Sequence, residues 1–573
     1  RLSEIDVGDR AEHWRKSAEF LQIVTTAWPA FLEEQGVSDP AWRRAQLINA
    51  KARRILAQPP EHPILIAGTT ASAPAVARLV AAIAAAPRGA AILPGLDRDL
   101  DAQGYDAIED AHPQYGLKRL LEDIGRKPAA IAPWPRSERP SPRAGLLRLA
   151  LRPADATSEW RALIDEATAE DPALAKAREG LTLIEAETED AEASIIAMIF
   201  RETLETDGAT AMLVTPDRNL ARRVALKMRR WNVSIDDSGG VPFSNSSCGV
   251  FLRLVAGFLS DPGDPVAILA LLGHPLAQLG IDEAMRRQGV EALDRALRGP
   301  RKGDALQAAA GERGGTEAGE AMLSVIAVLK TAADGFKASA ANELGAIMRA
   351  HLEAAETIAG GEGVWSGEDG AAGAELLAGL LAEEGALNAV QGARYGDVFE
   401  ALIAGAVVRR RSEAHPRLSI LGPLEARLIS ADHVILGGLN EGVWPQIAPA
   451  DPFLSRAMRE KIGLPSPERR IGLAAHDFAQ GAAAPRVTLT RAKRAGGDPA
   501  KPSRWIIRLR NILDGAGAIA SIDKSVEQRA RAEALDAAGP AEPADPPRPR
   551  AGPDRRPSTL PVTDIEKWIR DPY

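Results

Sequence analysis

The sequence predicts an α/β protein with two parallel-sheet domains, the second interrupted by a large all-helical insertion. Three observations carry that expectation. Short apolar runs ending in polar or glycine turns alternate with helical stretches near 63–95 and again near 210–240, the pattern of strand-helix-strand units in a parallel sheet. Between 246 and about 410, nearly every segment repeats its apolar residues at helical spacing. The strand pattern then resumes at Leu418 and leads to His433-Val-Ile-Leu-Gly-Gly, which is too short for a helix and runs into the polar turn Asn440-Glu441-Gly442. In an open α/β sheet, ligands bind in the loops that follow such strands.

At 573 residues the chain exceeds a single core, and ordinary domain sizes divide it into roughly three or four units. Hydrophobic residues at 45% and charged residues at 26% fit a globular chain, while aromatics at 4% leave the cores to Ala, Leu, Val and Ile. A net charge of -8 confines any DNA-binding surface to a local groove. The single cysteine, Cys248, excludes an internal disulfide framework and a cysteine-ligated metal site, and reads as a small buried thiol. There is no apolar run long enough to span a membrane, and the start at Arg1-Leu-Ser-Glu shows neither an initiator Met nor a signal-peptide pattern. These features predict a cytoplasmic protein without membrane partners and a piece of a longer chain.

Taken in order, residues 1–57 predict a helical subdomain, with Trp14, Phe20, Leu21, Ile23 and Val24, then Trp28, Phe31 and Leu32, at helix-face spacing. The rest of the first domain, 58–178, opens with Pro63-Ile-Leu-Ile-Ala-Gly, a helix through Val76 to Ala85, and Ala90-Ala-Ile-Leu. Its loop Gly68-Thr-Thr-Ala-Ser lacks the Gly-Lys-Ser/Thr ending of a phosphate loop, so it reads as a capped strand-to-helix turn. His112 precedes a proline with no partner carboxylate nearby, which favours a structural or capping role. The first part of the second domain, 179–245, is expected to hold an acidic helix at 185–206, a strand at Thr210-Ala-Met-Leu-Val, a basic helix at 220–231 and a strand from Val233.

The insertion, 246–414, predicts helices at 252–259, 265–272, 283–297, 321–333, 341–358, 374–381 and 395–409, with Gly-rich mobile loops at 311–319 and 360–373. Residues 415–524 return to the sheet, 525–561 read as a Pro- and Ala-rich linker, and 562–573 begin a new element. The strongest basic cluster of the chain follows the strand Val487-Thr-Leu-Thr: Arg491, Lys493, Arg494, Lys501, Arg504, Arg508 and Arg510, with Trp505 among them. Cations interleaved with an aromatic can follow a phosphate backbone and stack a base. The same residues can equally form a solvated face with Trp505 turned into the core.

Several segments together resemble the AddB-type subunits of the bacterial AddAB ATP-dependent helicase-nucleases and, more distantly, UvrD-type superfamily 1 helicases. Leu424-Glu-Ala-Arg with Ile435-Leu-Gly-Gly-Leu-Asn-Glu-Gly-Val-Trp-Pro is similar to the fifth helicase motif. Glu468-Arg-Arg-Ile-Gly-Leu-Ala-Ala-His-Asp-Phe is similar to the sixth, and Leu213-Val-Thr-Pro-Asp-Arg to the fourth. The final stretch Thr563-Asp-Ile-Glu-Lys-Trp-Ile-Arg-Asp-Pro-Tyr resembles the entry to a RecB-type nuclease domain. The resemblance implies two RecA-like domains and a role in processing double-strand breaks for recombinational repair. It implies partnership with an AddA-type helicase-nuclease subunit and with DNA, both duplex ends and single strands. ATP and magnesium enter at the level of the complex. Glu425, Arg427, Glu441, Arg469 and Arg470 stand where a nucleotide site would be, and Arg491, Lys493, Arg494, Arg504, Trp505 and Arg508 are the DNA-binding candidates.

The departures shape the expected activity. Leu418-Ser-Ile-Leu-Gly-Pro-Leu-Glu lacks the His and Lys that precede the fifth motif in working helicases, and Pro216 occupies the position of a phosphate-contacting arginine. Asp477 and Phe478 stand where a Thr-Arg pair carries the arginine finger, whose loss removes orders of magnitude in rate. The literal Thr490-Arg491-Ala492 comes later, on a strand, leaving Arg491 as either an ATP contact or a surface or DNA-facing cation. Asp571-Pro572 replaces the Cys-Pro of nuclease domains that hold an iron-sulfur cluster, so the resemblance supports no such cluster. The expected function is a motor-inactive DNA-binding scaffold that does not cut DNA alone. The alternatives are an active translocase with its phosphate loop in a missing N-terminal part, and a pure protein-interaction scaffold.

Overall fold

The structure, a computed structural model, describes residues 20–134, 141–153, 171–298, 305–311, 315–339, 343–383, 390–409, 414–448, 450–539, 541, 543–548, 550, 552 and 558–571. The chain divides into two compact units, Arg1–Arg529 and Ala530–Tyr573. It is a mixed α/β protein with a mostly parallel central sheet and many helices. Among the described residues, no helix is long and apolar enough to cross a membrane.

The first strand-helix-strand unit forms where the alternation predicts it. β1 (Ile64–Ala67) and β2 (Gly89–Ile92) pair in parallel with Ile64 opposite Gly89, and helix Pro74–Ala85 connects them. Proline at the helix start costs no hydrogen bond, because that amide has no partner within the helix. Upstream, helix Pro40–Ala57 packs on helix Pro74–Ala85 through Ala52, Ile55, Ala82 and Ile83. The periodic face at 20–32 is covered only in part. Leu21 packs beside Leu454 and Met458, and Phe20 stacks on Phe453 at 5.2 Å, while Ile23, Trp28 and Phe31 are exposed. Trp14 lies outside the described residues.

The central sheet combines β3 (Leu181–Thr188), β4 (Ala211–Val214), β5 (Asp236–Asp237) and strands contributed after the helical block. β6 (Val241–Pro242) and β7 (Val407–Val408) pair antiparallel at the two ends of that block. β8 (Leu418–Leu421), β9 (His433–Leu436), β10 (Val487–Ala495) and β11 (Asp498–Pro499) complete the sheet. β10 lies between β3 and β9, followed by β4, β8 and β5, all parallel, and β11 folds back antiparallel on the end of β10. β4 and β9 are buried at every position, as strands covered on both faces require, which explains their uninterrupted apolar sequences. Phe478, Trp444 and Trp505 fill the core on one side.

Four expectations are corrected. Residues 185–188 belong to β3 rather than to an acidic helix. Leu181, Leu183, Ile184 and Ala186 are buried, and Thr188 caps the helix that follows, Glu189–Leu204, by accepting from the Ala191 amide. The expected helix 395–409 stops at Ile403, because Gly405 breaks it and the β-branched Val407-Val408 pair with β6. Residues 360–373 are not a loop throughout: after the left-handed Gly360, helix Gly367–Ala382 begins. The linker expected from 525 starts later, since Ser525–Asp536 is a helix rich in Ala, Glu and Arg and the prolines begin only at Pro540. Gly311 to Gly319 falls partly outside the described residues.

Between β6 and β7 the helical block has its own core, centred on His351, Tyr395 and Phe399. The His351 ring is held by the Tyr395 hydroxyl at 2.9 Å and the Leu252 carbonyl at 3.0 Å. A carbonyl only accepts, so Nε2 carries the proton and Nδ1 accepts from the phenol. The second unit contains helix Val562–Arg570, whose Val562, Trp568 and Ile569 are exposed.

Candidate functional site

The carboxyl edge of the central sheet gathers the loops after β4, β9 and β10 around a buried polar cluster. Gly438, following β9, has φ +74, a left-handed conformation natural to glycine, and a Cβ there would stand 3.3 Å from Thr215 Oγ1 in the loop after β4. Its amide donates to Glu192 Oε1 at 2.9 Å, and the Thr490 hydroxyl donates to the same oxygen at 2.7 Å. Glu192 is buried, and burial pushes its carboxyl up to about 7 against the opposing pull of those two donors. The sequence carried one signal for it: a carboxylate at the head of the apolar run Ala193-Ser-Ile-Ile-Ala-Met-Ile-Phe.

Arg491 occupies the next position along β10 and is neither exposed nor free. At 3% exposure it donates Nε to Asn440 Oδ1 at 2.9 Å, Nη1 to Glu185 Oε1 at 2.6 Å and Nη2 to the Ala500 carbonyl at 2.6 Å. The other oxygen of Glu185 pairs with Arg510. This corrects the reading of Arg491 as a surface cation, because it is buried and all three arms of its guanidinium are used inside the protein. β3 supplies the neutralising carboxylate, and mistaking that strand for helix hid the pairing.

The remaining basic candidates divide. Lys493 bonds Glu187 at 3.0 Å, and Arg529 bonds the same carboxylate at 3.1 Å. Arg504 pairs with Glu441, and both are partly exposed, so water screens the pair. Arg508 donates to the Arg152 carbonyl at 2.7 Å. Arg494 and Lys501 are exposed. Trp505 is 4% exposed, stacked on Phe478 at 4.9 Å and edge-on to Trp444 at 6.4 Å, so its ring has no face for a base and the core reading holds.

Glu441, Arg504 and Arg508 nevertheless meet in one cleft of about 550 Å³, closed on the other side by His112, ahead of helix Tyr115–Asp123, and by Leu151 and Arg152, after helix Ala144–Ala150. Lys501 also lines it, so four cations face a common space. Arg152 is bonded to Asp101 at 2.5 Å. His112 Nδ1 accepts the Gln114 amide at 3.2 Å just ahead of helix Tyr115–Asp123, and burial lowers its pKa to about 4, which keeps the ring neutral.

The five nucleotide-site candidates do not converge. Arg427 forms a two-pronged pair with Asp477, at 2.6 and 3.1 Å, so each side chain neutralises the other inside the protein. Arg469 donates to the Ser72 carbonyl at 2.7 Å and sits over the Tyr115 ring. Glu425 and Arg470 are exposed, and Glu441 belongs to the cleft. The loop at Gly68, φ +78, is packed by Leu428, whose Cδ1 stands 2.9 Å from where a Cβ on Gly68 would be. Asp217, next to Pro216, caps helix Arg218–Met228 by accepting the Asn219 amide at 2.8 Å.

One buried arginine escaped sequence analysis altogether. Arg143, buried, donates to the carbonyls of Ala177, Glu179, Ala482, Ala484 and Pro485, tying the turn before helix Ala144–Ala150 to the end of helix Arg469–Ala482. Burial without a carboxylate lowers its pKa to about 10. Among the described residues no group of three or more His, Cys, Asp or Glu could hold a metal ion. No protein-family model matches this chain, and no curated protein matches it.

Proposed function

We propose that the chain is a helicase-like, motor-inactive subunit of an ATP-dependent helicase-nuclease, with two RecA-like domains and a helical insertion, acting in double-strand break repair. It grips DNA and docks an AddA-type motor. The single observation that carries the motor-inactive part is Arg491: the arginine of the literal Thr490-Arg491 pair is spent on Glu185, Asn440 and the Ala500 carbonyl. An arginine must reach the transferring phosphoryl group to stabilise its charge, and one held by three internal acceptors cannot do so without breaking them. The Arg427–Asp477 pair and the Leu428 side chain against the Gly68 loop support the same reading.

The DNA-gripping part draws support from the cleft that joins Arg152, Lys501, Arg504 and Arg508, with exposed Arg494 on β10 nearby in sequence. Exposed pairs such as Arg504–Glu441 contribute about 0–1 kcal/mol, so a phosphate can replace the carboxylate at little cost. Titrating single-stranded and end-containing DNA at two ionic strengths tests this. Replacing both Arg494 and Lys501 by Ala should weaken binding of all sequences and lower the salt slope by about 1 per lost phosphate contact. Unchanged affinity and slope would leave a pure protein-interaction scaffold.

A further inference from the structure

Helix Pro40–Ala57 carries Arg43, Arg44, Lys51, Arg53 and Arg54 and no carboxylate within its span. Trp42, Ala45, Asn49, Ala52 and Leu56 recur at alternating spacings of three and four, which places them on one stripe of the helix. Ala52 packs inward against the neighbouring helix, but Trp42 and Leu56 are 59% and 60% exposed at the two ends of the stripe. Beside it, helix Pro74–Ala85 and the turn at Ile124 and Arg126 enclose an open groove of about 660 Å³.

The lining of this groove is specific in two ways. Its floor is largely alanine, Ala52, Ala81 and Ala85 among them, and small side chains let another helix approach the backbone at the short end of the 8–10 Å packing range. Its rim carries three exposed guanidiniums, Arg53, Arg78 and Arg126. Arg78 donates to Asn49 at 2.9 Å, and none of the three pairs with a carboxylate among the described residues. In a protein whose other arginines so often find acids, three unneutralised cations around an apolar trough set the charge of what fits there. The described lining contains no aromatic ring on which a base could stack, which favours a polypeptide over a nucleic acid strand.

We propose that this groove receives an acidic amphipathic helix of a partner polypeptide, with its apolar face on the alanine floor and its Asp or Glu side chains on Arg53, Arg78 and Arg126. The site is separate from the cleft at Arg504, so it stands or falls independently of DNA binding there.

The probe is a fluorescein-labelled helical peptide of about 18 residues, roughly 27 Å long, with Leu and Ala on one face and Glu on both flanks. Its controls are the same peptide with every Glu changed to Lys, and a single-stranded oligonucleotide. Fluorescence anisotropy with the whole protein should show binding of the Glu peptide but not of the Lys peptide. The triple variant Arg53→Glu, Arg78→Glu, Arg126→Glu should bind the Glu peptide at least about tenfold more weakly and gain affinity for the Lys peptide, a gain that misfolding cannot produce. Ala81→Trp, which fills the floor and leaves the charges in place, should abolish binding. Binding of both peptides alike, indifference to either variant, or displacement of the Glu peptide by the oligonucleotide would overturn the proposal.

Discussion

Replacing Arg491 by Ala separates a buried structural cation from a DNA contact. The side chain is 3% exposed and holds Asn440 Oδ1, Glu185 Oε1 and the Ala500 carbonyl. Losing it strands two neutral acceptors, at about 1–3 kcal/mol each when buried. Glu185 keeps Arg510, so the loss falls short of leaving an unpaired buried charge, which costs about 3–5 kcal/mol. The two bounds meet near about 3 kcal/mol. Trp444 and Trp505 lie in the core beside β10, so tryptophan fluorescence during urea unfolding reports the change. The expected result is a fall of roughly 1 M in the urea midpoint, while Arg494→Ala, on the exposed end of the same strand, changes stability by less than about 0.5 kcal/mol. An Arg491→Ala protein with an unchanged midpoint but weakened DNA binding would refute the reasoning, since only a solvent-facing arginine behaves that way.

Three other outcomes follow from the same geometry. The Glu192 carboxyl titrates at about 7 in the fold against an ordinary value of 4.5, so the native state holds the extra proton and stability falls as pH rises through that window. Glu192→Gln still accepts from Gly438 and Thr490 but does not titrate. It should therefore gain on the wild type by about 2–3 kcal/mol between pH 5 and pH 8, and parallel pH-stability curves would contradict this. Trp505→Ala should cost about 3–5 kcal/mol in urea unfolding and leave the salt slope of DNA binding unaltered; a changed slope at wild-type stability would return Trp505 to the surface. Arg143→Met should cost at least about 3 kcal/mol by stripping donors from five carbonyls, measurable as faster limited proteolysis near residue 143.

The architecture was legible wherever local pattern and burial agree. β4 and β9 announce themselves as unbroken apolar runs because both faces of each are covered, and the helical block by its period because its helices bury one face in a shared core. β3 was not legible, since Glu185 and Glu187 interrupt its apolar residues and look like the polar face of a helix. Their real partners, Arg491, Arg510, Lys493 and Arg529, lie some 300 positions away in sequence. The basic cluster after β10 was visible as charge but not as paired charge for that reason. Trp505 shows the same limit: its placement on the core side of helix Arg504–Gly515 is fixed by Phe478, which belongs to another segment. The cleft at Arg504 needed Arg152 and His112, some 350 and 390 positions earlier in the chain, a juxtaposition no local spacing encodes.

On the function proposed above, this chain keeps the frame of a motor without its chemistry. The most direct measurement is ATP hydrolysis by the purified protein in the absence of any motor partner, with and without single-stranded and duplex-end DNA. The account predicts that DNA binds, with salt-dependent affinity, and stimulates no ATP turnover. DNA-stimulated hydrolysis that is abolished by Arg491→Ala in a folded protein would contradict it.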